Sequence, residues 1–354
     1  MRSIFVLIAL AASCLAQDAD FVQRSIESGA RLSVGVYRIE RTLIVPNERM
    51  LSGSGAGTIL DWTGDRSNPV IVKMGSEGGF SYQIQVRDVA LLHGKLYVAQ
   101  FTQNCFILHV RVSSSLSDGI VVDGPGEQLT IQGVTSEENQ GVGLRIRSRF
   151  DNNGIMIRDC DLHNNDQAGL VLETVDPNVV LEAVVIDHTT IQGNCRVSAA
   201  CDRDSDGRIT LKDLAVVQYS GDLTRLALTL GYLNKEIDSF DVEVRGWVGR
   251  TTLEHCWIES TKAIGGLRAT PVANRYCSSL TLRGCTLYAP NGPALQLERV
   301  YGTYLDDVVL RPYSGVRATR IEYVAPYSGP GLTGDLRNVD RSLLTPLSAV
   351  RVQR

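Results

Sequence analysis

Residues 143–165 read GLRIRSRFDNNGIMIRDCDLHNN, and residues 169–194 read GLVLETVDPNVVLEAVVIDHTTIQGN. Both stretches open on glycine followed by a strand-like apolar pattern through Leu144 and Ile146 or Leu170 and Leu172. Both then carry a second element, apolar–x–x–small–x–apolar: Ile157/Cys160/Leu162 in one and Ile186/Thr189/Ile191 in the other. Both close on asparagine, which tolerates a left-handed backbone and whose amide can bond along a stack. Alternation of period two sends one set of side chains inward and the other outward, as in a strand.

The second element recurs along the chain. It appears as Val86/Val89/Leu91, Ile107/Val110/Val112 and Ile131/Val134/Ser136, and again as Leu253/Cys256/Ile258, Leu282/Cys285/Leu287 and Leu305/Val308/Leu310. From Val86 on, first positions are spaced 21, 24, 26, 29, 67, 29 and 23 residues apart. The glycine- or alanine-led element recurs from Gly119, Gly266 and Ala294. Each coil therefore holds two or three short strands and cannot bury its inner face alone; stacking at ~4.8 Å per rung pairs the backbone and builds a continuous core. A leucine-rich repeat would show helical spacing, and most coils here lack it.

With this repeat, the stretches Gly35–Ile39 and Met50–Ile59 (MLSGSGAGTI) resemble the opening of pectate-lyase-like and galacturonase-like proteins. The resemblance covers roughly residues 18–312. It implies an all-β fold, a right-handed single-stranded parallel β-helix (solenoid), with a short capping helix over Asp18–Glu27. Residues 313–354 are expected to form a C-terminal cap.

The remaining organisation follows from composition. Residues 1–16 read as a signal peptide: Arg2, an apolar run from Ile4 to Ala12, and small residues ahead of a cut before Gln17. That predicts a secreted, extracellular protein; a lipoprotein anchored through Cys14 is the alternative. No other run is long enough for a membrane-spanning helix. In 354 residues, Lys+Arg 35 and Asp+Glu 39 leave a net charge of −4, which gives no sign of a nucleic-acid partner. Of 8 cysteines, loss of Cys14 leaves an odd number, so this is no disulfide-dense scaffold, and Cys195 with Cys201 is the candidate bridge. Coils are thus expected over 17–194 and 223–312.

The spacing of 67 predicts two coils plus an insertion over 195–222. That insertion holds DRDSDGRITLKD at 202–213, with acids at loop positions 1, 3, 5 and 12 and glycine at 6. Such alternation converges oxygens on Ca2+ once Gly207 turns the chain, with Asp202, Asp204, Asp206, Asp213 and the Arg208 carbonyl as ligands. With the helix-like stretch that follows it, the segment is similar to one repeat of a dockerin, a small helical calcium-loop module of the EF-hand kind. A dockerin has two repeats, and the single one here argues against a cohesin-type partner.

Outward positions of the glycine-led strands should form columns. One runs Val121, Arg145, Val171, Arg268 and Gln296; the other runs Asp123, Arg147, Glu173, Thr270 and Glu298. Asp123, Arg147 and Glu173 are then neighbours. They form either an ion-pair ladder on a solvated sheet or a groove for a polysaccharide, with Arg147 gripping a uronate carboxylate and Glu173 and Asp123 as general acid and base. Of the galacturonase motifs only Asp306-Asp307 has a counterpart. Lyases of this fold use Arg or Lys as base, for which Arg145, Arg147, Arg245, Arg250 and Lys262 are candidates. Cys160, Cys256 and Cys285 share one inward position and read as small core residues. His188 and His255 share another beside Asp187 and Glu254, as turn residues, and could share a site if their coils were neighbours. The sequence thus supports a polysaccharide-binding or polysaccharide-cleaving protein, with a non-catalytic, adhesin-like structural role as the alternative.

Overall fold

The computed structural model describes residues 17–75, 81–99, 102–124, 127–149, 152–176, 178–195, 240–246, 248–260, 263, 265–270, 280–289, 293–297, 300, 302–310, 320–323, 331–334 and 344–346. One coil shows how the rest are built. The strand Leu144–Ser148 leads to Asn152–Arg158, then to Asp161–His163, and the next coil begins at Leu170–Thr174. Equivalent strands stack in parallel and in register: Leu144 on Leu170, Ile157 on Ile186, Leu162 on Ile191. The result is three long parallel sheets. Sheet I contains Asn152–Arg158, sheet II Asp161–His163 and sheet III Leu144–Ser148, with 11, 10 and 11 strands along their paths. The chain is a parallel β-helix.

Inward positions of all three sheets form one continuous apolar cluster, from Ala19 to Val308, with members such as Ile146, Ile157, Leu162 and Leu172 fully buried. Each such side chain contributes roughly 1.5–3 kcal/mol by burial. Cys160, Cys256 and Cys285 lie in this cluster, with thiols against main-chain carbonyls.

Two corners of the coil are regular. Between sheets I and II the chain turns in two residues, the first left-handed: Asp88, His109, Gly133, Asp159, His188, His255, Gly284 and Asp307 all have φ between 45° and 62°. Gly, Asp and His are among the residues that tolerate this conformation, and the repetition aligns eight side-chain positions in one edge row. Asp306-Asp307 falls at this corner, where Asp306 pairs with Arg283. Between sheets II and III, Asn139, Asn165 and Asn194 form a buried amide ladder: Asn139 Nδ2 donates to Asn165 Oδ1 (2.7 Å) and Asn165 Nδ2 to Asn194 Oδ1 (2.8 Å). Gly143 and Gly169 make room for it, since a Cβ there would sit 2.6 Å from the amide nitrogens of Asn165 and Asn194.

The first coil is covered by helix α1, Gln17–Ser28, which buries Ala19, Val22 and Ile26. Gln23 meets both the N–H and the carbonyl of Ile44 on the first strand of sheet III, so the open edge is capped instead of left as a template for another chain. The gap of 67 is corrected by the structure. Ile186 pairs directly with Leu253, so the gap spans one rung, not two. A strand can pair across any length of intervening chain provided both ends of the excursion return to the same corner, and here they are Cys195 and Phe240. The strands Arg320–Tyr323, Gly331–Gly334 and Leu344–Pro346 extend sheets III and I beyond residue 312. Among the described residues no helix is long and apolar enough to cross a membrane.

Candidate functional site

Sheet III presents the charged columns outward. The register reads Asp123–Arg147–Glu173–Arg245–Thr270 along one and Tyr97–Val121–Arg145–Val171–Glu243–Arg268–Gln296 along the other. Asp123, Arg147 and Glu173 therefore do lie side by side. The columns also contain Glu243 and Arg245, whose strand, Phe240–Arg245, is the first described after Cys195. The alternation of DVEVR in that strand was the available signal.

Ion pairs lace the face together. Arg145, only 14% exposed, gives Nε to Asp118 (2.7 Å) and Nη1 to Glu173 (3.4 Å). Arg147 Nε meets the same Glu173 oxygen at 3.0 Å, and Arg245 approaches its other oxygen at 3.7 Å. Glu243 pairs with Arg245 and with Arg268 (3.0 Å), and the Arg268 guanidinium lies 4.6 Å over the Phe240 ring. At the other end Arg149 Nε donates to Asp123 Oδ1 (2.7 Å) and the Tyr97 hydroxyl to its Oδ2 (3.0 Å).

Five guanidiniums (145, 147, 149, 245, 268) thus face four carboxylates (118, 123, 173, 243). Burial opposes the charge of Arg145, but Asp118 and then Glu173 outweigh it and raise its pKa. Arg245 moves the opposite way: burial, with the neighbouring Arg268 and Arg145 charges, lowers its pKa against the pull of Glu173. Burial also pushes Lys95 down, aided by Arg147. The five guanidiniums are densely packed and each is paired with a carboxylate, a surface suited to exchanging one carboxylate for another.

The other candidates are placed as follows. Arg250 pairs with Glu182 away from sheet III. Lys262, Glu298, Cys201 and the loop residues Asp202, Asp204, Asp206, Arg208 and Asp213 lie outside the described residues, as do residues 1–16. His188 and His255 occupy consecutive left-handed positions of the edge row, so their coils are neighbours.

No family model matches the sequence, and no curated protein matches it. Solved structures do. ORF18 of Geobacillus virus E2 matches with a TM-score of 0.57 at 11% identity, over 89% of this chain and 57% of that one. This chain therefore spans just over half the length of the viral protein. The A-module of the Azotobacter vinelandii mannuronan C-5 epimerase AlgE4 matches at 0.49 and 12% identity, over 89% and 94% of the two chains. The catalytic unit of the GH87 alpha-1,3-glucanase from Streptomyces thermodiastaticus strain HF3-3 matches at 0.49 and 10%, over 88% and 64%. The first shows a shared fold and no more; the lower similarity of the other two adds nothing to it.

Proposed function

We propose that the chain is a secreted β-helix protein that binds or cleaves an extracellular polysaccharide along the outer face of sheet III. The observation that carries this reading is the set of guanidiniums Arg145 and Arg147 on one rung, Arg245 two rungs on and Arg268 on the rung after that, with Glu173 and Glu243 between them. Rungs repeat every ~4.8 Å, comparable to the rise of one sugar in an extended glycan. A uronate polymer laid across the rungs would therefore bring carboxylates within reach of the arginines, each a bidentate partner in place of an internal one.

The test is a panel of pectate, alginate, chondroitin and neutral glycans, with calcium or chelator, following binding and chain cleavage. Binding of a uronate polymer that falls about tenfold or more in Arg147→Ala, from loss of a bidentate charge-assisted pair, is the expected result. Unsaturated ends among the products would identify a lyase. No binding across the panel by the folded protein would overturn the reading.

A non-catalytic, structural or adhesin-like role is favoured by a separate observation. Glu173 and Asp123 are both held by guanidiniums, so their oxygens are already engaged within the face and neither is free to reach a glycosidic oxygen.

The loop Asp202, Asp204, Asp206, Arg208 and Asp213 is proposed to hold one Ca2+ through hard oxygen ligands. Its sequence supports this. A calcium titration of the full chain should show one chelator-sensitive ion that Asp206→Ala abolishes; no uptake by the wild-type chain would end the calcium reading.

A further inference from the structure

The edge row between sheets I and II carries a second cluster, remote in kind from the arginine face. His188 and His255 are 67 residues apart in sequence, yet the direct pairing of Asp187 with Glu254 makes them consecutive in the row. Both have the left-handed backbone of that corner, φ 45° and 52°, so their rings project from the same point of adjacent rungs. The rings stack, with centroids 4.7 Å apart and planes 30° from parallel. Asp187 Oδ1 lies between them, 2.6 Å from His188 Nδ1 and 3.4 Å from His255 Nδ1.

From this geometry we propose that Asp187, His188 and His255 form a binding site for a divalent ion of the zinc class (zinc, nickel or copper(II)). The donor set fits. Two imidazoles and one carboxylate suit borderline ions, and hard calcium prefers an all-oxygen shell. At metal–donor distances of ~2.0–2.1 Å a tetrahedral ion holds its donors about 3.3 Å apart. The observed 2.6 and 3.4 Å separations bracket that value, and all three donor atoms lie within 4.8 Å of one another, so rotation of the two exposed rings can close them on one ion.

The surroundings prepare Asp187 for this role. Arg158 approaches its other oxygen, Oδ2, at 3.5 Å, which leaves Oδ1 directed to the two rings. Glu254, the equivalent residue one rung on, is taken by Arg283 at 2.8 Å. Beyond His255 the row continues as Gly284, whose missing side chain leaves space against the His255 ring; a Cβ there would lie 2.9 Å from it. Both imidazoles are more than half exposed, so solvent can reach the ion and water can complete its shell, as at an open site. His93 and His109 each meet a carboxylate, yet among the described residues only the Asp187 cluster brings three such ligand atoms together.

The test uses the full chain, free of any affinity tag and saturated with calcium so that oxygen-rich loops are occupied. Zinc is titrated by calorimetry, and copper(II) is added separately for paramagnetic resonance. One zinc per chain and a copper spectrum with coupling to two nitrogens are expected. His188→Asn and His255→Asn, which keep a residue tolerant of the left-handed turn, should each weaken zinc at least about tenfold; His109→Asn, in the same row, should not. Zinc binding unchanged in both variants, or none in the folded wild-type protein, would overturn the proposal.

Discussion

Replacing Asp241 by asparagine is expected to stabilise the protein, and to do so only above mildly acidic pH. Asp241 is fully buried, and Asn194 N–H donates to its Oδ1 at 3.2 Å. This is the bond that Asn165 Oδ1 accepts from Asn139 and Asn194 Oδ1 from Asn165. A carboxylate thus sits at the end of an amide ladder. Burial is the largest influence on it and pushes its pKa from 3.8 up to about 7; Ser260 and Asn194 pull the other way without winning. Among the described residues, neither Asp241 Oδ2 nor the buried Ser260 Oγ has a hydrogen-bond partner of normal geometry.

The direction of the pH effect follows from proton counting. Between 3.8 and about 7 the folded chain binds more protons at Asp241 than the unfolded chain does, so folding stability falls as pH rises through that window and stays low above it. At about 1.4 kcal/mol per unit, the deficit is on the order of 4 kcal/mol above pH 7. An asparagine side chain in its place would keep the acceptor for Asn194, offer an N–H toward Ser260, and carry no charge to desolvate. The urea midpoint of Asp241→Asn should therefore exceed that of wild type by a large margin at pH 8 and converge with it near pH 4. An equal shift at both pH values would show that Asp241 is not the buried acid described.

The same residue explains what could and could not be read from the sequence. Glycine-led strands were legible because Gly143 and Gly169 are required: any side chain there would strike the ladder amides of Asn165 and Asn194. Counting outward from those glycines placed Asp123, Arg147 and Glu173 on one row, and the register agrees. In the following rung Asp241 stands opposite the glycine position, its neighbour Val242 pairing with Leu170, and its own carboxylate meets the ladder. No glycine is needed there, so the cue disappears, and with it went Glu243 and the place of Arg245 in the column, although Arg245 stood among the candidate bases. Asp118 escaped for another reason: it lies in the turn before the strand Ile120–Asp123 and reaches Arg145 on the next rung, a contact that no strand periodicity encodes. The histidine pair was visible as a shared repeat position, but only pairing across the insertion made the two residues neighbours.

Glu173→Ala is expected to be the most damaging single change on the arginine face, and its rescue separates a ladder from a binding site. Glu173 is 15% exposed and is approached by Arg145, Arg147 and Arg245. Removing it leaves three guanidiniums around one empty place. The contact with Arg145, itself 14% exposed, approaches a buried pair, whose disruption costs about 3–5 kcal/mol. The contacts with Arg147 and Arg245 are a third or more exposed and screened, and each contributes at most about 1 kcal/mol. Because Arg145 keeps Asp118 at 2.7 Å, the net loss should fall near the lower end, about 3 kcal/mol, and shrink in high salt as repulsion among the arginines is screened. A uronate oligosaccharide should restore stability to Glu173→Ala more than it adds to wild type, since its carboxylate would enter the vacated position without displacing an internal one; a neutral oligosaccharide should not. Full stability in the variant would mean that solvent already screens the ladder. A destabilised variant that uronate does not rescue would leave the face as a structural ladder, and the glycan would then have to be sought elsewhere on the helix.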